Sequence, residues 1–190
     1  SPVPLVADIH FNHRLAIRSI ENGISKVRIN PGNIGGEGNV RELADCLKQY
    51  RIPVRIGVNS GSIEKDLLEK YGGVTAQGMV ESGLNHARML ERAGYDQIVL
   101  SYKATDVPKT VEACRLAAKL SDYPQHIGVT ESGTADVGVV KSAVGIGALL
   151  LEGIGDTIRV SLSGDPVQEV GAGLAILRAC GLRRDGIEIV

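Results

Sequence analysis

The chain of 190 residues has no tryptophan and a single phenylalanine, Phe11. A core without large rings is filled by Val, Ile, Leu and Ala, the filling of a parallel α/β sheet. Only three cysteines occur, Cys46, Cys114 and Cys180. They are too few and too far apart for a disulfide framework or a paired-cysteine metal site. Each falls in a helical pattern, where a cysteine behaves as a small hydrophobe. No run of eighteen apolar residues exists, so no segment reads as a membrane span. The opening SPVPLVADIH lacks the charged-then-apolar pattern of a secretion signal. A cytoplasmic or organelle-matrix location is therefore expected, with no membrane partner. Nor is there an excess of one charge sign. The formal net charge is −1, without the basic footprint that a nucleic-acid partner needs.

What the chain does have is glycine, 24 residues of it, and 43% hydrophobic residues, enough for a real core. Strand patterns rich in Val and Ile cover Pro4–His10, Lys26–Pro31, Pro53–Asn59, Gln97–Ala104, Gln125–Glu131 and Thr157–Ser163. Helical spacing links Val40, Leu43, Leu47 and Tyr50, and again Val107, Val111, Cys114 and Ala118. Asp106 before Val107-Pro108, and Asp165 before Pro166, read as caps with proline in the first turn. Gly94 and Gly181 read as helix stops. Strands that alternate with helices pair in parallel through right-handed crossovers.

Six βα units result, without an internal break in composition. An open doubly wound sheet and a (β/α)₈ TIM barrel both fit α/β alternation. A whole barrel needs eight units and typically about 250 residues. Six units suit a barrel lacking its first two, and the chain opens almost inside its first strand. The expectation is one substrate-binding barrel domain over residues 1–190, incomplete at six units.

Residues two apart on a strand share a face. Asp8 and His10 do so on the first strand, Arg28 and Asn30 on the second, and Arg55, Gly57 and Asn59 on the third. Ser101 and Lys103 follow on the fourth, Glu131 with Ile127 and Val129 on the fifth, and Arg159, Ser161 and Ser163 on the sixth. Every strand thus carries a polar side chain at or near its C-terminal end. Such residues are costly in a buried sheet unless they line a site, and the C-terminal edge is where α/β proteins bind ligands. Arg28, Arg55, Lys103 and Arg159 face the carboxylates Asp8 and Glu131, a cationic surplus in a near-neutral chain. Arginine's planar fork suits phosphate, so a small phosphorylated or diphosphorylated substrate is expected. Some of these arginines could instead be spent on internal pairs with Asp8 and Glu131.

Other motifs say less. The stretch Pro31–Gly38, PGNIGGEG, is a glycine-rich loop that matches neither phosphate-binding pattern, and reads as a ligand-covering loop or a plain turn. Gly145-Ile146-Gly147 reads as close helix packing. His13 and His86 read as solvated surface residues, and His126, on the face opposite Glu131, as a structural hydrogen-bonder. His10, beside Asp8, reads as a substrate donor or proton carrier.

The segments VADIHF, KVRINPGNIG, RIGVNSGSIEKDLLEKYGG, MVESGL, SYKATDVPKTVEACRLAA, IGVTESGT and KSAVGIGALLLEGIGDTIRVSLSGDP resemble the 4-hydroxy-3-methylbut-2-enyl diphosphate synthases of the methylerythritol phosphate isoprenoid route. The resemblance runs over nearly the whole chain. It implies a TIM barrel followed by a smaller domain with a [4Fe–4S] cluster. It also implies reductive ring opening of 2-C-methyl-D-erythritol 2,4-cyclodiphosphate, with loss of water and two electrons arriving through the cluster. By motif, Arg28, Arg55, Asn59 and Lys103 would grip the diphosphate, joined by Ser161. Asp8 and His10 would line the same cavity, and Glu131 would stand near the reacting carbons. Flavodoxin or ferredoxin is the electron donor that the family implies, and the intact enzyme a homodimer in which one subunit's cluster domain covers the other's barrel mouth.

The match departs at both ends. Two βα units, with a further arginine, are missing at the start. The chain stops at Gly186–Val190, where the cysteine-bearing domain would begin. The family's three cysteines and glutamate lie in that domain, so the cluster would be ligated outside this chain, and this fragment is expected to hold none and to be inactive alone. Two rivals remain: a class I aldolase-like barrel with Lys103 as Schiff base, and a non-catalytic anion-binding domain.

Overall fold

A computed structural model describes residues 2–30 and 34–184. Six strands, β1 (Val6–Ile9), β2 (Lys26–Ile29), β3 (Val54–Asn59), β4 (Ile98–Lys103), β5 (His126–Ile127) and β6 (Thr157–Ile158), alternate with helices. The helices are α1 (His13–Glu21), α2 (Glu37–Tyr50), α3 (Lys65–Tyr71), α4 (Ala76–Arg92), α5 (Val107–Leu120), α6 (Ala135–Leu151) and α7 (Pro166–Ala179). A short 3₁₀ turn, Ser60–Ser62, precedes α3.

All pairings are parallel. β1, β2, β3 and β4 lie side by side in chain order, β5 pairs with β6, and a bridge from Leu100 to Gln125 joins the two groups. Order without reversal decides between the two architectures. A doubly wound sheet needs a point where strand order turns back, whereas a barrel winds one way. Among the described residues no register joins β6 to β1, so the strands form an arc of a barrel. Apolar side chains stay exposed at both ends of the arc: Leu5, Val6 and Leu15 beside β1, Val167 and Val170 on α7.

Alternation sets the two faces. Val27, Ile29, Val54, Ile56, Val58, Leu100, Tyr102 and Ile127 are buried against the helices. Ala16 and Ile20 of α1, Leu43 and Leu47 of α2, Met79 and Leu90 of α4, and Ala113, Cys114 and Ala117 of α5 meet them. Both proline-linked caps form. Asp106 accepts from the Lys109 N–H at 2.7 Å and Asp165 from that of Val167 at 2.9 Å. Gly94 and Gly181 follow α4 and α7 with φ of +80° and +71°, the left-handed stop that glycine takes without strain. Gly145 packs as expected, because a Cβ there would come within 2.9 Å of Val129 Cγ2.

Several expectations need correction. The last two strands are two residues each, not seven. Gly128 lies so close to the Arg159 carbonyl that a Cβ would collide with it, and Glu131 turns left-handed at φ +50°. The chain there stays near its neighbours through single bonds such as Arg159 N–H to Ile127 O, 2.9 Å, but without a regular ladder. Tyr50 and Ala118, read as core-facing, are exposed at their helix ends. His13 and His86 are not solvated. Each has a side chain less than 15% exposed and reaches a carboxylate, Glu42 at 3.0 Å and Glu64 at 3.4 Å. The glycine-rich loop falls partly on residues 31–33, and Gly186–Val190 wholly, outside the described residues.

Candidate functional site

In a parallel sheet, residues in register point the same way. Asp8 is in register with Arg28, Arg28 with Arg55, and Asn59 with Lys103. Their side chains leave the arc on the side away from the helices. They meet in a cavity of about 180 Å³ at the C-terminal strand ends, which His10, Ser101, Thr130 and Arg159 also line. A larger hollow, about 400 Å³, lies between Leu84–Glu91 of α4 and Leu120–Tyr123. It sits near the N-terminal sheet edge, the face that serves stability in barrels.

Four cations thus face one carboxylate. Arg28 Nη1 donates to Asp8 Oδ1 at 2.8 Å, and His10 Nε2 lies 3.5 Å from the same oxygen. Among the described residues Arg55, Lys103 and Arg159 make no ion pair. The fear that internal pairs neutralise the arginines holds for Arg28 alone. Arg28 and Lys103 are each only 7% exposed. Burial lowers Arg55, and the neighbouring Arg28 and Arg159 lower it further. The same causes bring Lys103 down to about 7: first loss of water, then Arg159, Arg55 and Arg28. Arg28 and Lys103 are buried while Arg159 and Asp8 reach solvent, so it is the buried pair of cations that is poorly solvated until an anion enters.

Not every expected residue reaches the cavity. Glu131 does not line it. Its face-mates Ile127 and Val129 turn outward into the core, and Thr130 takes the inward position. Glu131 stands exposed, with Oε2 3.4 Å from Thr105 Oγ1. Parity in fact puts Glu131 on the helix side with Ile127 and Val129, so the inward expectation took the wrong face of this segment. Asn30 is buried at the end of β2, outside the cavity wall. Ser161 is half-buried, its carbonyl accepting from Ser132 Oγ, and also lies outside the wall. Thr130 could have been found by numbering β5 from its apolar residues: Ile127 and Val129 must face the helices, so His126, Gly128 and Thr130 face inward.

His126 does make the expected hydrogen bond, between Nδ1 and Thr157 Oγ1 at 2.8 Å, but inside the barrel. Its carbonyl accepts from Ser101 Oγ at 2.7 Å. Burial first, then Lys103, Arg55, Arg159 and Lys26, push its pKa down to about 2.

The described residues do not fit an iron–sulfur cluster. Cys46 lies on α2, Cys114 on α5 and Cys180 just past α7, all on the helical layer. No three potential metal-ligating groups come together among the described residues. Burial holds the Cys114 thiol up at about 12, far from the thiolate that iron needs. No described helix is long and apolar enough to cross a membrane.

Comparison with known proteins follows the same outline. The GcpE TIM-barrel domain matches residues 1–174. Proteins named 4-hydroxy-3-methylbut-2-en-1-yl diphosphate synthase (flavodoxin) are similar throughout. That of Caldanaerobacter subterraneus subsp. tengcongensis is 57% identical over 188 residues, covering 99% of this chain and 53% of its own length. That of Geobacter sulfurreducens is 57% identical over 190 residues, 100% of this chain and 54% of its own. The Ruminiclostridium cellulolyticum protein is 58% identical over 188 residues, 99% and 53%. The chain therefore spans about half the length of the curated relatives it matches. Among solved structures, a type I 3-dehydroquinate dehydratase from Clostridium difficile superposes with a TM-score of 0.56 at 13% identity, over 93% of this chain and 68% of that one. At that identity the likeness shows the barrel fold alone.

Proposed function

The chain belongs to the GcpE TIM-barrel domain family, and on that premise we propose that it is the substrate-binding barrel of a 4-hydroxy-3-methylbut-2-enyl diphosphate synthase. The substrate in this reading is 2-C-methyl-D-erythritol 2,4-cyclodiphosphate, which is opened reductively and dehydrated. The observation that carries it is the strand-end cup, with Arg28, Arg55, Lys103 and Arg159 around one carboxylate. Among the described residues three of those cations have no ion-pair partner.

The work of this chain is to hold the charged end. Arg55 presents its guanidinium from β3 and Arg159 from just beyond β6, and Asn59 adds an amide on β3. Asp8 holds Arg28 in place, and His10 beside it can donate to or accept from a substrate hydroxyl. Asn30 and Ser161 stand one shell further out. Glu131 keeps the acid–base role in this proposal. A non-glycine residue held left-handed at the cavity's edge is the kind of strain that functional positions retain. Electrons belong to a [4Fe–4S] cluster held by residues other than the cysteines here, with flavodoxin as donor, in keeping with the relatives' name. A homodimer, a cytoplasmic setting and the assignment of residues 1–190 to one barrel domain belong to the same proposal.

Isothermal titration of the cyclic diphosphate into the wild type and Arg55→Ala tests it. A charge-assisted pair is worth about 1.5–3 kcal/mol, so affinity should fall by roughly 10–100-fold. Unchanged affinity defeats the role of Arg55. A second reading, Schiff-base chemistry, is favoured by one observation: Lys103 at about 7 holds a neutral amine fraction at neutral pH. Borohydride trapping with a ketone phosphate separates the two, because only the aldolase-like reading predicts a covalent adduct at Lys103.

A further inference from the structure

The crowding of positive charge in the cup raises the question of what holds it together when empty. Arg28, Arg55 and Arg159 cannot shed their protons, since guanidinium stays charged throughout the working range. Lys103 can. It would carry its ammonium in a residue only 7% exposed, among three guanidiniums, without an ion-pair partner among the described residues. We infer that a doubly phosphorylated ligand enters this cup together with one proton, which Lys103 Nζ takes up from solvent. The lysine is then a charge switch, with a large neutral-amine fraction in the empty cup and an ammonium against the bound dianion. The inference rests on the proposed substrate reading and deepens it.

Among the described residues that line the cup, Lys103 is the one buried group able to make this exchange. From β1, Asp8 is the one carboxylate, and Arg28 of β2 already occupies it. His10 stands at that pair on the cup's other side. Arg55 comes from β3 and Arg159 from just beyond β6. Behind the lysine, His126 on β5 stays neutral and the Cys114 thiol on α5 stays protonated, so neither supplies compensating charge. A lysine brought near 7 by desolvation and like charge regains its ordinary affinity for a proton when two negative charges arrive. The exchange moves one proton from solvent to nitrogen and no electrons. It also favours dianions over monoanions, since the former offset more of the +3 left by three arginines, the new ammonium and Asp8.

The cyclic diphosphate is a suitable probe, because both of its phosphates are fully esterified or bridged and keep fixed charge from pH 6 to 9, by general phosphate chemistry. Calorimetric titration into the intact protein at about pH 8.5, in two buffers of different ionisation heat, reads the protons taken up. Nearly one proton per ligand is expected in the wild type. In Lys103→Arg, whatever its affinity, uptake per bound ligand should vanish. Binding without uptake in the wild type, or equal uptake in Lys103→Arg, overturns the switch. Heteronuclear NMR of the Lys103 side chain, without ligand, should show a titration midpoint near 7. A midpoint near the ordinary ~10.4 overturns the switch whether or not the ligand binds. If the midpoint is near 7 and the cyclic diphosphate fails to bind, the substrate reading falls and the switch stands. Sulfate, a dianion of fixed charge, then reads the same uptake.

Discussion

Arg28 shows how much of the cup depends on a residue that carries no charge. Its side chain passes over Gly57 of β3, where a Cβ would stand 2.8 Å from Arg28 Nη2. Gly57→Ala should therefore push the guanidinium off Asp8 and out of the cup. A loss of roughly tenfold or more in affinity for the cyclic diphosphate is expected by calorimetry, with the barrel still folded. Unchanged affinity would mean the arginine has room that the packing does not show. His126 makes a separate prediction. Its folded pKa near 2 lies below the unfolded ~6.5, so between these values only the unfolded chain takes the proton. Stability is present above pH 6.5 and is lost as acid is added. Between pH 6.5 and 5 the loss from this residue is about 2 kcal/mol. Urea midpoints at pH 5 and 7.5 should differ less in His126→Gln than in the wild type. Equal differences would show that the imidazole titrates freely.

At the scale of elements, the strands are held by what the helices leave room for. Tyr102 of β4 points outward, 1% exposed, and its ring lies against Gly83 of α4. A Cβ at Gly83 would stand 2.6 Å from Tyr102 Cε1 and 2.8 Å from Cζ. Alanine gains about 1 kcal/mol in helix propensity, but overpacking a closed core costs about 1–3 kcal/mol. The clash should win. Gly83→Ala is expected to lower the melting temperature, because β4 must shift, and Lys103 with it. A raised melting temperature would show that propensity dominates. The caps make a milder case. Asp106→Ala at the start of α5 should cost about 1 kcal/mol, read by urea denaturation, without touching the cup.

The whole molecule carries a formal charge of −1 while one cavity gathers four cations around a single carboxylate. Charge is thus distributed by place and not by amount. Low-dielectric walls focus such a field on an arriving anion, and dissolved salt screens it beyond about 10 Å at 0.1 M. Affinity for the cyclic diphosphate should fall by roughly tenfold between 0.05 and 0.5 M sodium chloride. The parent tetrol, which has no phosphate, should show no such dependence in the same titration. Equal salt dependence for both would place the recognition elsewhere than in charge.

Read from residues alone, the alternation of strands and helices, the caps at Asp106 and Asp165, and the gathering of polar groups at strand ends were already determined. Each is a local matter: side-chain period, a hydrogen bond three residues long, and the alternation of two faces. Arg28, Arg55, Asn59, Lys103, Asp8, His10 and Arg159 could be assigned to one cup on that basis, since a regular strand carries its parity forward. Parity counted from Ile127 and Val129 puts Glu131 on the helix side, and it does not settle Asn30 or Ser161. The positions of those two depend on how the chain leaves β2 and on where the short strand β6 loses its ladder, and parity is silent past a strand's end. The choice of barrel over doubly wound sheet also needed the order of the strands, because both folds repeat the same βα unit. Only the packed structure shows which cations lack partners, since an ion pair joins residues distant in sequence. The charge of a partly buried group is decided by its neighbours, and here those neighbours come from β1 to β4 and from just beyond β6.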